Sequence, residues 1–392
     1  MGRAEGLQEA LVKVEVVTPS LPGPQSTASG RELFAWVEGA RSLGHEVEVW
    51  SWDGGMLRGR DLSWLPSWCR YEPFDRPHRP MWQEHARSLA RPRWGLAEAG
   101  WEPRPGFLAW ADHPSSFPAV AHLPVSVVEF HYSSLLDSLA ARRHIWKPAT
   151  VQNVRAEMRA ARMSTVSVAY SQRVARALLG RPRYVPPAYE VPEEALPLTE
   201  EPVAALLADW AWPPNQQAAR ALLSAWPVVR AAVPSARLLL AGRKPELLEV
   251  GSVAGVSVLG EVASSLDVLS QASVLAFPCP PSSGPKIKVL EALAIGLPVV
   301  TTPAGVEGLC LAPGDAAVAD EAGFAGALAE VLASPERRSA MAAAGRASLA
   351  THHSPVVSAH VRLSLVSEAL GVPMGRVATP QLVAVNGTSV RA

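Results

Sequence analysis

Residues able to do chemistry concentrate in one stretch, Pro278 to Leu309, which reads PCPPSSGPKIKVLEALAIGLPVVTTPAGVEGL. Ser283 and Gly284 close a Pro/Ser/Gly loop that runs into a helical pattern from about Pro285 to Ile295. Lys286 and Lys288 sit in its first turn and Glu291 one turn further. A glycine loop feeding a helix N-terminus presents unpaired backbone N–H groups and a partial positive charge, which suits a phosphate. The lysines add full charges, and being two apart they point in different directions, so one of them faces a ligand more directly. Lys288 and Glu291 are three apart and share a face. A carboxylate one turn below bound phosphates can accept hydrogen bonds from ribose hydroxyls. The plainer alternative is a solvated Lys288–Glu291 pair worth roughly 0.3 kcal/mol.

Two further groups could act. Val128-Glu129-Phe130-His131 ends a strand pattern, where a neutral His131 imidazole could donate or accept a hydrogen bond. Glu129 points the same way as His131 by strand alternation, toward either a cleft or the core. Asp112-His113 follows another strand as a lesser candidate, and a lone strand-end histidine can equally be structural. In the loop from Pro19 to Gly30, Gly23 is a candidate for close backbone approach, although a plain βα turn with Ser29 as N-cap fits as well. Cys69, Cys279 and Cys310 are scattered and odd in number, with no CxxC or His-pair spacing, so neither a disulfide framework nor a metal site is expected.

These residues need a scaffold of alternating strands and helices. In the first half, apolar strands are expected at 14–17, 46–50, 107–109, 125–129 and 165–169, the last running into Ser171 as a helix N-cap; a helix is expected at 30–43. The stretch 181–202 is dense in proline and acidic toward its end, and reads as a linker. Beyond it, strands at 203–207, 236–241, 256–259 and 274–277 alternate with helices at 215–231 and 266–271. The pattern is α/β, with two doubly wound parallel sheets facing a central cleft. The boundaries are 1–190 for a first Rossmann-like domain, 191–360 for a second, and 361–392 for a C-terminal helix and tail able to cross back. Nine of the thirteen tryptophans fall between Trp36 and Trp110, and 57–101 reads as an insertion whose aromatic and arginine side chains could stack on an acceptor.

The chain has 392 residues, ample for two domains, and its Lys+Arg count of 36 equals its Asp+Glu count of 36. Zero net charge argues against nucleic acid or an anionic membrane as its business. No window is apolar enough for a membrane span, and Glu5, Glu9 and Lys13 interrupt what a signal peptide would need, so a cytoplasmic protein is expected. Oligomeric state is not readable.

The run from Gly284 to Leu309 resembles the donor-binding segment of retaining glycosyltransferases of family 4, which have the two-Rossmann-domain fold called GT-B. So do Ala208 to Asn215 (ADWAWPPN), Ala236 to Pro245 (ARLLLAGRKP) and Leu259-Gly260-Glu261-Val262, in family order. The resemblance implies a retaining, metal-independent transfer from a nucleotide-diphosphate-sugar to an acceptor, with no cofactor beyond the donor. Under it Glu291 binds the ribose, Ser283, Gly284 and Lys286 the pyrophosphate, and the backbone of Gly260, Glu261 and Val262 the base. By the same resemblance residues 1–190 form the acceptor-binding domain and 191–360 the donor-binding one. His131 faces the cleft and could hydrogen-bond the donor sugar or the leaving phosphate, and the Gly23 loop lies near the donor phosphates. Three departures stand out. Ser283 replaces a sugar-contacting glutamate, the loop 208–214 lacks the usual Arg and Lys, and Pro285 cannot donate to phosphate. Charge compensation then falls on Lys286, Lys288, Arg243 and Lys244. The acceptor is a small molecule or glycan, with a secondary metabolite favoured by the Ala- and Pro-rich composition. Alternatives are a silent nucleotide-sugar-binding protein and a GT-B sugar-nucleotide epimerase.

Overall fold

The computed structural model describes residues 11–24, 26–53, 61–73, 101–140 and 148–371. The first sheet contains β1 (Lys13–Thr18), β2 (Glu46–Asp53), β3 (Cys69–Pro73), β4 (Leu108–Ala111), β5 (Val127–Phe130), β6 (Val166–Ala169) and β7 (Arg183–Tyr184). Their order is β3-β2-β1-β4-β5-β6-β7, parallel throughout. The second contains β8 (Val203–Leu207), β9 (Arg237–Ala241), β10 (Val256–Gly260), β11 (Val274–Phe277), β12 (Val299–Thr301) and β13 (Ala317–Val318), in the order β10-β9-β8-β11-β12-β13. These strands are parallel as well. Central strands such as β8 and β11 are near-continuous apolar runs because helices cover both faces. Chain order reverses between β1 and β4 and again between β8 and β11. The loops leaving those four strands therefore diverge and open a crevice at each sheet's carboxyl edge.

The helices used below are α1 (Ala28–Ser42), α2 (Ser134–Ala140), α3 (Pro148–Met163), α4 (Gln172–Ala177), α5 (Pro213–Ala232), α6 (Ile287–Ala294), α7 (Phe324–Ala333), α8 (Pro335–His352) and α9 (Pro355–Leu370). In α1, Leu33, Trp36, Val37 and Ala40 form the buried stripe that the sequence spacing predicts. Its N-cap is Thr27 rather than Ser29, with the hydroxyl accepting from the Gly30 amide. Ser171 caps α4, accepting from Val174 N–H at 3.0 Å. The helix after the Ser/Gly loop begins at Ile287, two residues later than Pro285. Gly284 at φ 77° and Lys286 in extended geometry hold the chain open, which makes Lys286 the N-cap residue.

After β7 the chain runs to β8 as a strap. Val185 and Ala188 join the first core, whereas Leu196 N–H bonds Ile295 O of the second domain at 2.8 Å. From Pro355 the chain returns, and α9 packs on α1, its Ala359, Leu363 and Val366 completing the core around Trp36. Close approach at this junction requires Gly39, where a Cβ would lie 2.1 Å from Pro355 O. The crossing helix therefore starts at 355 rather than 361, and the tail 372–392 lies outside the described residues. Strand β3 occupies part of the stretch read as an insertion; its residues 74–100, with Trp82 and Trp94, and the chain start 1–10 also fall outside them. Among the described residues no helix is long and apolar enough to cross a membrane. The three cysteines are free.

Candidate active site

Between the two sheets lies a cavity of about 1060 Å³. Its floor is the second switch point: Ala208, Asp209 and Trp212 after β8, and the chain from Phe277 to Lys288 after β11. Arg31 of α1 and Tyr132, Ser134 and Asp137 at the start of α2 close it from the first domain. Lys286, Lys288 and Glu291 converge here. Lys288 donates from Nζ to Asn215 Oδ1 at 3.1 Å and lies 4.4 Å over the Phe277 ring. Burial pulls its pKa down to about 8. The Lys286 ammonium folds back onto the carbonyls of Ser283, at 3.2 Å, and Gly284. Glu291 Oε1 accepts from Ser265 Oγ at 2.6 Å and from the Arg31 guanidinium at 3.1 Å. Among the described residues neither lysine is ion-paired to a carboxylate, while Glu291 and Arg31 form a strut across the cavity.

The loop itself is held by carboxylates. Asp137 Oδ1 accepts from the Ser283 amide at 2.6 Å and from its hydroxyl at 2.7 Å. The Ser283 hydroxyl in turn accepts from Ser133 N–H at 2.9 Å. The Gly284 amide donates to Glu307 Oε1 at 3.2 Å, and Arg173 of α4 binds both Glu307 and the Ser282 carbonyl. Gly284 is obligatory: its φ is 77°, and a Cβ would lie 2.1 Å from the His131 carbonyl oxygen.

Several predicted residues lie elsewhere. Val262 lines the cavity; Gly260 and Glu261 do not. Arg243 lines it but is paired with Asp209 at 2.6 Å, and Lys244 stands outside, in left-handed geometry before a single turn of helix. Gly23 packs under the Trp64 ring, where a Cβ would lie 2.6 Å from it, so its close approach serves a side chain and not a ligand. Glu129 is completely buried and faces the core. It accepts from Trp110 Nε1 at 3.1 Å and Arg362 Nε at 2.9 Å, as well as from the Tyr170 hydroxyl. His131 stacks on Tyr170 with 4.6 Å between ring centroids and puts Nε2 3.4 Å from Asp112 Oδ1 and 3.9 Å from Glu129 Oε2. Burial opposes its protonation, but Asp112, with Glu129 and Glu32 behind it, lifts the imidazole to about 9. That direction favours the charged ring over the neutral one expected, and the His131 side chain is not part of the cavity wall. Ligand atoms of Asp112, Glu129 and His131 lie within 4.8 Å of one another. A cation there would compete with Arg362 and Tyr170 for Glu129.

Sequence reasoning missed Arg31, Asp137, Ser265 and Glu307 as site partners, and the pairing of Lys288 with Asn215. Only the Arg31 loop and Asn215 carried any signal, each at the start of a helix after a central strand.

Residues 201–334, within the second domain, match the family model described as Glycosyl transferases group 1. No curated protein matches the sequence. Among solved structures, Anabaena HepE in complex with UDP-glucose superposes with a TM-score of 0.61 at 13% identity, covering 90% of this chain and 99% of HepE. An α,α-trehalose-phosphate synthase (UDP-forming) from Burkholderia vietnamiensis gives 0.62 at 13% identity over 93% and 99%. TarM from S. aureus, in a complex that includes UDP, gives 0.55 at 10% identity over 66% of this chain and 55% of its own. The chain thus spans about half the length of TarM. The fold is GT-B. The match to the group 1 glycosyl transferase model lies wholly within its second domain.

Proposed function

We propose that the protein transfers a sugar from a nucleotide-diphosphate-sugar, held in the interdomain cavity, to an acceptor. The observation that carries this reading is the meeting of Lys286, Lys288 and Glu291 in one cavity, at the loop-to-helix turn of a domain matching group 1 glycosyltransferases. The UDP-bound neighbours of the same fold support a nucleotide-sugar donor. In this reading the diphosphate lies at the helix start, against Lys286 and Lys288, and not on the Ser283 and Gly284 amides, which Asp137 and Glu307 occupy. There the helix N-terminus and two ammonium groups stabilise charge as it develops on the leaving group, so that a metal is not needed. Glu291 takes the ribose hydroxyls, and Arg31, released from it, turns to the phosphates. That supplies the cation the loop 208–214 lacks.

Retention follows in this proposal from front-face attack, with the departing phosphate accepting the acceptor's proton, and the likeness to family 4 supports it. The acceptor enters from the first-domain side, a small molecule such as a secondary metabolite or a glycan, and the cytoplasm is the proposed compartment. The test uses UDP, GDP and dTDP beside UDP-, GDP- and dTDP-glucose. One base should stabilise the protein thermally, and its sugar conjugate should release free sugar slowly in the presence of EDTA, as the α-anomer by NMR. Failure of every member to bind overturns the reading. The carboxylates on the Ser283 and Gly284 amides favour one second reading, a silent binder, which would hold the donor and neither hydrolyse nor transfer it.

A further inference from the structure

Three carboxylates line the cavity, and their surroundings differ. Asp209 is neutralised by Arg243 at 2.6 Å. Glu291 is held by Arg31 and Ser265. Asp137 has no cation partner among the described residues. Its Oδ1 is taken by the amide and hydroxyl of Ser283, whereas Oδ2 has no hydrogen-bond partner among them. Such a carboxylate repels phosphate and accepts strongly from neutral hydroxyls. It therefore divides the cavity. The diphosphate belongs on the side of Lys286 and Lys288, and an uncharged polyol belongs beside Asp137.

We infer that Asp137 binds a hydroxyl of the donor's sugar, a contact that rests on the donor reading above. The Ser283 loop carries no carboxylate of its own, and the first domain supplies one. Oδ1 docks on Ser283, which fixes the side chain in one orientation, and Oδ2 faces the ring. Ser283 is buried, and its hydroxyl is spanned between Ser133 N–H and Asp137. A small side chain at 283 is thus what lets Asp137 reach the loop. Because Asp137 and the lysines belong to different domains, the sugar is recognised only when the domains are apposed, whereas the bare diphosphate needs mainly the second domain. The contact selects a sugar that presents a hydroxyl to Oδ2.

Asp137→Asn separates this role from a mere latch. Its amide oxygen still accepts from Ser283, so the domain contact survives, but the charged acceptor facing the ring becomes an amide N–H₂. Dissociation constants are measured by calorimetry on the full chain for UDP, GDP, dTDP and their glucose conjugates, with melting temperature reporting folding. The expected result is a loss of about tenfold or more for the preferred sugar conjugate, with its bare diphosphate within about twofold of wild type. Asp137→Ala should show the same selective loss. If diphosphate and conjugate weaken together, or if neither changes, Asp137 is a latch and the inference is overturned. If the wild-type chain binds none of the three diphosphates, the donor reading itself falls and takes this contact with it.

Discussion

Lys288 stands under two opposing demands. Burial between the loop and Phe277 penalises its ammonium and brings its pKa to about 8, yet a bound diphosphate would need that same charge. Between about pH 8 and the ordinary lysine value, the unfolded chain keeps a proton that the folded chain has released. Wild-type stability should therefore rise with pH through that window. Lys288→Met keeps the length of the side chain and removes the penalised charge. The variant should be more stable than wild type by on the order of 1–3 kcal/mol near neutral pH, and less so at about pH 9.5. It should also bind the diphosphate roughly 10- to 100-fold more weakly. Urea midpoints at the two pH values and calorimetry check both halves; a variant that is less stable yet binds normally contradicts the assignment. At this scale the sequence was informative about Lys288 and Glu291, which helical spacing of three sets on one face, and about Lys286 as the residue that enters the helix. It was silent on their partners. Asn215 is 73 residues from Lys288, and Arg31 is 260 residues from Glu291, separations that no local pattern encodes.

Helix α9 illustrates the same limit for whole elements. A return of the C-terminal helix to the first domain could be anticipated, but not the partners it meets there. Arg362 enters the first domain between Glu32 at 2.7 Å and Glu129 at 2.9 Å, with all three side chains essentially unexposed. The strand-end position of Glu129 suggested a site residue; the cation that claims it comes from the far end of the chain. Burial raises the Glu32 pKa even with Arg362 beside it. Arg362→Met leaves two uncompensated carboxylates and should destabilise the protein by about 3–5 kcal/mol in urea titrations. The acids would then take up protons on folding, so the loss should be larger at about pH 8 than at about pH 5, and Glu32→Gln should restore part of it. No dependence on pH would mean that α9 is held by its apolar face alone. Other elements escaped notice for local reasons. Strand β3, Cys-Arg-Tyr-Glu-Pro, alternates over only four residues and falls inside the stretch read as an insertion, and α3 buries only Glu157, Ala160 and Ala161, too few apolar side chains to show a helical period. By contrast, β8, β9 and β11 were readable as short apolar runs because parallel strands are covered on both faces.

For the molecule as a whole, the decisive surface is where the domains touch. Among the described residues the buried apolar core of the second domain contains no first-domain residue, and of residues 1–190 only Tyr189, in the strap, packs at its edge. Contact across the cleft is instead polar and close to the backbone. Gly284 abuts the His131 carbonyl, Gly308 abuts the Tyr170 carbonyl with a would-be Cβ at 2.2 Å, and Arg173 bridges to Glu307 at 2.8 Å. Arg173 is half exposed, so that ion pair adds at most about 1 kcal/mol. Interdomain surfaces of this kind open readily. Shape at the two glycines, more than attraction, then sets how closely the lobes approach, and the approach governs whether Asp137 and Arg31 reach the second domain's loop. Gly284→Ala should hold the lobes apart, because its Cβ meets backbone that cannot rotate away. Positive φ adds strain of its own, on the order of 1–2 kcal/mol, and Gly314→Ala separates the two effects. Gly314 has φ 101° and nothing within 4 Å of a Cβ, so its alanine variant carries strain without collision. The expected outcome is a larger radius of gyration by small-angle scattering for Gly284→Ala alone, and donor binding weakened at least tenfold beyond that of Gly314→Ala. Equal behaviour of the two variants would show that backbone contact at Gly284 does not control closure, and that attraction across the cleft must do so instead.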